Sequence, residues 1–307
     1  MKFITKKVIN NKEYYYLQYK KYSKCIGAYI TEDIKQEMIS FFSDIALKEY
    51  ELLSKDIKKQ FSKKDLMEVE KMHYLYICIS QSEFFKEEYD KFREIFAIEF
   101  TFNSNRSEGS KTTKKDIKNY MFSKKRKIVT KTNQEIYNSS SALEYSFFHV
   151  SRLNTMSIKY IHKLLLLNLD AVQIIGVWKK ENNVAPGNNA TTDCLLVQKE
   201  MLDLLKWLNS MNKKSIYPPL LALEFYYRFE KIHPFSDGNG RMGRILLNAI
   251  LVKYSYCPVI FFTENHESHC DAISKAISGR TSKLNMHFVE QMQKTVLVLQ
   301  MVLPITI

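Results

Sequence analysis

His233-Pro234-Phe235-Ser236-Asp237-Gly238-Asn239-Gly240-Arg241-Met242-Gly243-Arg244 is the stretch on which the reading of this chain turns. The chain has only 8 glycines in 307 residues, and three of them fall between Gly238 and Gly243. Glycine is needed where backbone takes a positive φ or comes close to a ligand, so the cluster points to a shaped loop. That loop opens with Pro234 and runs into Arg241-Met242-Gly243-Arg244-Ile245-Leu246-Leu247, which reads as a helix. The free N–H groups of such a helix's first turn, together with its dipole, make an anion site. Arg241 and Arg244 stand at i and i+3 and share one face, each offering a fork for phosphate oxygens. His233 ends the preceding helix and can act as a base near neutral pH. Asp237 is a hard oxygen ligand of the kind Mg²⁺ takes. A base, a metal ligand, a backbone cradle and two guanidiniums in one short run predict a phosphate-transfer site.

The run resembles the signature of the Fic family, His-x-Phe-x-(Asp/Glu)-Gly-Asn-(Gly/Lys)-Arg-x-x-Arg, and every specified position matches. The resemblance implies a protein adenylyltransferase that moves AMP from ATP to a Ser, Thr or Tyr hydroxyl of a protein, itself included, with Mg²⁺ as cofactor. On that resemblance His233 is the catalytic base and Asp237 the metal ligand. Gly238, Asn239 and Gly240 cradle the phosphates with backbone N–H groups and the Asn amide, and Arg241 and Arg244 bind the outer phosphates. Two other readings stay open. One keeps the scaffold but changes the donor, giving a phosphotransferase or another nucleotidyl- or phosphocholine-type transferase. The other is a basic nucleic-acid-binding or adaptor protein.

Upstream, Ser104-Asn105-Arg106-Ser107-Glu108-Gly109 is similar to the inhibitory (Ser/Thr)-x-x-x-Glu-(Gly/Asn) element of self-restrained Fic proteins, with Ser104, Glu108 and Gly109 in its specified positions. The resemblance implies that Glu108 forms a bidentate pair with Arg244 in the place of a γ-phosphate. Whether Glu108 also serves removal of AMP stays open. Ile174 to Lys180, followed by Asn182 to Asn188, reads as a β-hairpin with a wide turn. It stands where Fic proteins carry a flap that holds the target's backbone by strand addition, which would give Gly176, Val177, Trp178 and Lys179 that role. His269 and Cys270 stand where relatives carry tyrosines near the adenine. His162 reads as a packed core residue.

A net charge of +13 invites a nucleic-acid partner. The excess is nearly all lysine, and no helix-turn-helix, zinc or RNA-binding pattern accompanies it, so nucleic acid is not expected. The densest block, Lys111 to Lys131, reads as a basic surface segment around Lys124-Lys125-Arg126-Lys127. No run approaches the roughly 20 apolar residues of a membrane span, and the first residues have no apolar leader core. The five scattered cysteines suit a reducing, cytoplasmic setting. Self-association stays open.

The expected fold is mainly α: a Fic-type helical core over residues 96–307, with a β-hairpin flap and a small N-terminal accessory region over residues 1–95. That region should hold two or three short strands with a turn near Asn10-Asn11-Lys12, then helices starting at Thr31. Further helices are expected from about Ser157 (as N-cap), Leu195, Pro218, Arg241, Glu264 and Leu284.

Overall fold

The computed structural model describes residues 3–123, 127–149, 153–169, 173–185, 189–211 and 216–301. It is mainly helical and falls into two compact units. Lys124-Lys125-Arg126, the centre of the basic block, lies outside the described residues.

The first unit runs to Ile95 and includes Ser255–Cys257 and the segment from Gln293. It opens with an antiparallel meander of β1 (Ile4–Ile9), β2 (Lys12–Tyr19) and β3 (Tyr22–Gly27). Ile9 pairs with Lys12 across Asn10 and Asn11, both at positive φ, which is the two-residue turn that asparagine tolerates. α1 (Ile34–Leu52) presents Ile34, Met38, Phe41, Phe42 and Ile45 inward, as their spacing requires. It starts after Asp33 rather than at Thr31, and no side chain caps it. α2 (Lys55–Lys58) and α3 (Lys63–Gln81) follow, capped by Ser54 and Ser62. Phe3 packs edge to face on Tyr19 and Phe42 in this core, and those two rings tilt on each other.

The second unit, Phe96–Tyr254 with Pro258–Met292, carries the site. α4 (Lys86–Arg106) leads into it. α5 (Lys114–Met121), α6 (Lys131–His149) and α7 (Thr155–Leu166) come next. α7 is capped by Asn154 in a reciprocal box with Ser157, so Ser157 is the third helical residue and not the cap. α8 (Val197–Met211) and α9 (Pro218–Ile232) precede α10 (Asn239–Lys253), which is buried along most of its length. α11 (His266–Ile277) and α12 (Ser282–Gln300) complete the order. Gly243 lets α10 approach α9: a Cβ there would collide with the Tyr226 ring and the Glu230 carboxylate.

The hairpin is displaced from its expected place. Residues 173–177 form turns, and the paired strands are β4 (Val184–Ala185) and β5 (Asn189–Ala190). The Pro186-Gly187-Asn188 part of the expected turn lies outside the described residues. The reason lies in where its backbone amides are already spent. Gly176 has φ +70°, a turn conformation, and its N–H is bound to His162 Nδ1 at 2.9 Å. The Lys179 N–H is taken by the Pro234 carbonyl at 2.8 Å. Neither amide can donate to a partner strand.

Candidate active site

α9 ends at His233, which caps it with φ +49° and ψ +62°. The following Pro234 disfavours the right-handed helical region for its predecessor, so the helix stops here and the chain turns sharply. Phe235, fully buried, is the pivot of the loop. Its N–H donates to Asn239 Oδ1 at 2.9 Å, and its carbonyl accepts from Asn239 Nδ2 at 2.7 Å and from Asn183 Nδ2 at 2.9 Å. The Asn239 amide is therefore engaged in holding the loop, which corrects its expected use on phosphate. The backbone N–H groups of the first turn of α10 keep that role open, because Gly238, at φ +74°, starts the helix with no side-chain cap.

His162 fastens the same loop from α7. Its ring stacks on Phe235 with centroids 3.7 Å apart, Nδ1 accepts the Gly176 N–H, and Nε2 donates to the Asp237 carbonyl at 3.0 Å. An N–H facing Nδ1 leaves Nε2 as the protonated nitrogen. The expected core histidine thus ties the segment before the hairpin to the loop that bears Asp237.

Arg241 is buried and reaches Asp237 Oδ2 through Nη2 at 3.1 Å, while its Nε has no partner. The Asp237 side chain is about half exposed (54%) on the rim. One accessible carboxylate beside an anion cradle is the donor set Mg²⁺ accepts when substrate phosphates supply the other oxygens. Asp237 therefore fits the metal-ligand role.

Arg244 is 3% exposed and is held by the segment expected to meet it. Its Nε donates to Ser104 Oγ at 3.1 Å, and Nη2 donates to the Ser104 carbonyl at 2.9 Å and to Glu108 Oε1 at 2.8 Å. The Glu108 contact is thus a single bond with Ser104 beside it, not the expected two-pronged fork. Gly109 places it. At φ +83° it ends α4 in a Schellman turn, with its own N–H on the Arg106 carbonyl and the Ser110 N–H on that of Asn105. Glu108 then lies against Gly240, where a Cβ would collide with Oε1. Burial works to raise the Glu108 carboxyl, but Arg244, with Arg241 and His266 behind it, outweighs burial and holds it below the usual carboxylate range.

These groups share one cavity of about 300 Å³, lined by Glu108, His233, Asp237, the Gly238–Gly240 turn and Arg244. His266, His269 and Cys270 of α11 form the far wall. His269 Nε2 is 2.8 Å from the Tyr226 hydroxyl. Burial, then the charges of Arg244, His287 and His266, keep its ring neutral far below the usual histidine range. A second cavity of about 470 Å³ shares Glu108 and Asp237 and is lined further by Lys111, Lys131, Glu135 and Arg241.

Of the residues expected on the flap, none is in a strand. Lys179 is 3% exposed, and its Nζ donates to Asn183 Oδ1, Thr191 Oγ1 and the Ile232 carbonyl. Its side chain is a structural tie and cannot reach a target. Trp178 tilts onto Phe235 at 5.0 Å, with Lys159 Nζ over its ring. Sequence reasoning missed Glu230, whose carboxylate is 3.4 Å from His233 Nδ1. The only signal for it was an acid one helical turn before the signature.

The helical core thus presents a glycine-rich turn at a buried helix N-terminus with a histidine on the rim of its cavity. Residues 152–251 match the Fic/DOC family. Protein adenylyltransferase Fic of Drosophila persimilis is 28% identical over 154 residues, 48% of this chain and 29% of that protein. Protein adenylyltransferase fic-1 of Caenorhabditis elegans is 29% identical over 119 residues, 39% of this chain and 23% of that protein. The chain thus spans under a third of the length of these relatives. In fold it is similar to Fic-1 of C. elegans (residues 134–508), with TM-score 0.66 and 18% identity, covering 88% of this chain and 82% of the other. It is also similar to a Fic-domain signaling protein of Bacteroides thetaiotaomicron, with TM-score 0.64 and 19% identity, covering 78% and 99%.

Proposed function

We propose that this protein is a Mg²⁺-dependent protein adenylyltransferase held in check by Glu108. The observation that carries the reading is that His233, Asp237, the first turn of α10 and Arg244 line one cavity, with a carboxylate already seated on Gly240 at the anion position. ATP enters with its phosphates on the N–H groups of that turn. Arg241 and Arg244 take the outer phosphates. Mg²⁺ on Asp237 supplies charge neutralisation of the triphosphate when bound. His233 removes the proton of a Ser, Thr or Tyr hydroxyl as its oxygen attacks the α-phosphorus. The bond to the bridging oxygen breaks, and its electron pair leaves on pyrophosphate, whose charge the two guanidiniums balance.

Glu108 opposes this by holding Arg244 and filling the place of the outermost phosphate. The partner is a hydroxyl-bearing protein segment, and the protein's own exposed hydroxyls belong to the same chemical class. The five free thiols fit a reducing, cytoplasmic setting. Among the described residues no helix is long and apolar enough to cross a membrane.

The test is incubation of the Glu108→Gly protein with a cell lysate and either α-labelled or γ-labelled ATP. Label in protein from the α-phosphate alone is expected. Label from the γ-phosphate would assign phosphotransfer instead, and label from neither would remove the reading.

A further inference from the structure

Glu230 lies one helical turn before His233 on α9, is 1% exposed, and neither of its carboxylate oxygens has a hydrogen-bond partner. Its Oε2 stands 3.4 Å from His233 Nδ1, and the same nitrogen is 3.3 Å from the Glu230 carbonyl oxygen. The other oxygen, Oε1, fits against Gly243, where any side chain would strike it. The close packing of α10 on α9 therefore leaves room for this carboxylate.

An ionised carboxylate out of water is strongly disfavoured unless a cation opposes it. The other titratable groups lining its cavity are Tyr226 on its own helix, Glu108 after α4, Asp237 before α10, Arg244 on α10, and His266, His269 and Cys270 on α11. Tyr226 is directed to His269, and Arg244 is bound by Ser104 and Glu108. His233, beside it at the helix end, becomes a cation whenever it accepts a proton.

We propose that Glu230 is a positioning residue for His233. Its carboxylate keeps the resident imidazole proton on Nδ1, turns Nε2 toward the acceptor hydroxyl, and stabilises the imidazolium formed when that hydroxyl gives up its proton. The proton moves from the hydroxyl oxygen to Nε2 while Nδ1 retains its own. The arrangement follows the logic by which a buried acid orients a catalytic histidine in hydrolases. It rests on the AMP-transfer reading above.

The experiment compares Glu108→Gly with the same protein carrying Glu230→Gln or Glu230→Asp. In the Gln protein kcat for AMP transfer is expected to fall roughly ten- to a hundredfold, with KM for ATP unchanged. The acid limb of its rate profile is expected to move to lower pH, because an imidazole without the carboxylate releases its proton more readily. The Asp protein is expected to recover part of the rate. NMR of the His233 ring without nucleotide supplies a readout independent of activity, and the ring is expected to take up its proton at lower pH in the Gln protein. An unchanged kcat with an unchanged ring titration overturns the proposal. So does a loss of rate that follows a lowered melting temperature while both pH readouts stay in place. If the Glu108→Gly parent transfers no AMP at all, the functional reading fails, and the ring titration alone decides the role of Glu230.

Discussion

Glu108 Oε1 stands 2.8 Å from Arg244 Nη2 and rests against Gly240, so one carboxylate closes both the guanidinium and the first turn of α10. The two residues are 136 positions apart. They meet because the turn after α4, closed by Gly109, carries Glu108, while α10 starts just before Gly240. An acid at a helix N-terminus and an acid on an arginine are each favourable, and here one side chain does both.

Glu108→Gly is expected to raise AMP transfer by at least about tenfold, the factor that 1.4 kcal/mol of lost competition supplies. Initial rates at saturating ATP check it. The same variant is expected to melt lower than the wild type without nucleotide and to gain more from added ATP, as binding linkage requires.

The restraint is expected to be insensitive to pH across the neutral range. The Glu108 carboxyl is held below its usual range, so its contribution is present above the unfolded carboxyl pKa and is lost only as pH falls through the lower folded value. The ratio of Glu108→Gly to wild-type rates, measured from pH 6 to pH 8 (roughly two to four units above an ordinary glutamate), should stay constant. A ratio that collapses toward one at pH 6 contradicts this.

Asn239→Ala removes two of the three side-chain bonds that hold the Phe235 backbone, leaving the one from Asn183. A loss of about 1–3 kcal/mol of stability is expected from two buried hydrogen bonds, together with weaker ATP binding because the loop is no longer set. Urea unfolding and calorimetric titration with ATP measure the two effects. Intact folding with intact binding would mean that the loop is held by something else.

Gly243→Ala drives a methyl into Tyr226 and Glu230. Overpacking of this kind typically costs about 1–3 kcal/mol. The melting temperature should fall, whereas Gly279→Ala, with open space around the site but φ +88°, tests backbone strain alone.

The helical core was legible from strong local signals, and the meeting of Glu108 with Arg244 only through the resemblance of its segment to the Fic inhibitory element. Glycine spacing marked the α10 turn, Pro218 marked the start of α9, and apolar periodicity marked α1 and α8. The hairpin was misplaced because the alternation of Ile174 to Lys180 looks like a strand, while its amides are claimed by His162 and Pro234 from distant parts of the chain. The Asn239 amide was misassigned because its partner is the Phe235 backbone four residues earlier, a contact that residue types alone do not show. Lys179 reads as part of a target-holding flap, yet its Nζ is buried among three acceptors. Specific hydrogen bonds, not propensities, decided each of these.

The most direct measurement of the central claim is transfer of α-labelled AMP by Glu108→Gly and by Glu108→Gly/His233→Ala, each shown to bind ATP. The account predicts protein labelling in the first and a rate lower by roughly 10²–10⁴ in the second, the range for loss of a general base. Equal labelling by both, or none by Glu108→Gly with ATP bound, would contradict it.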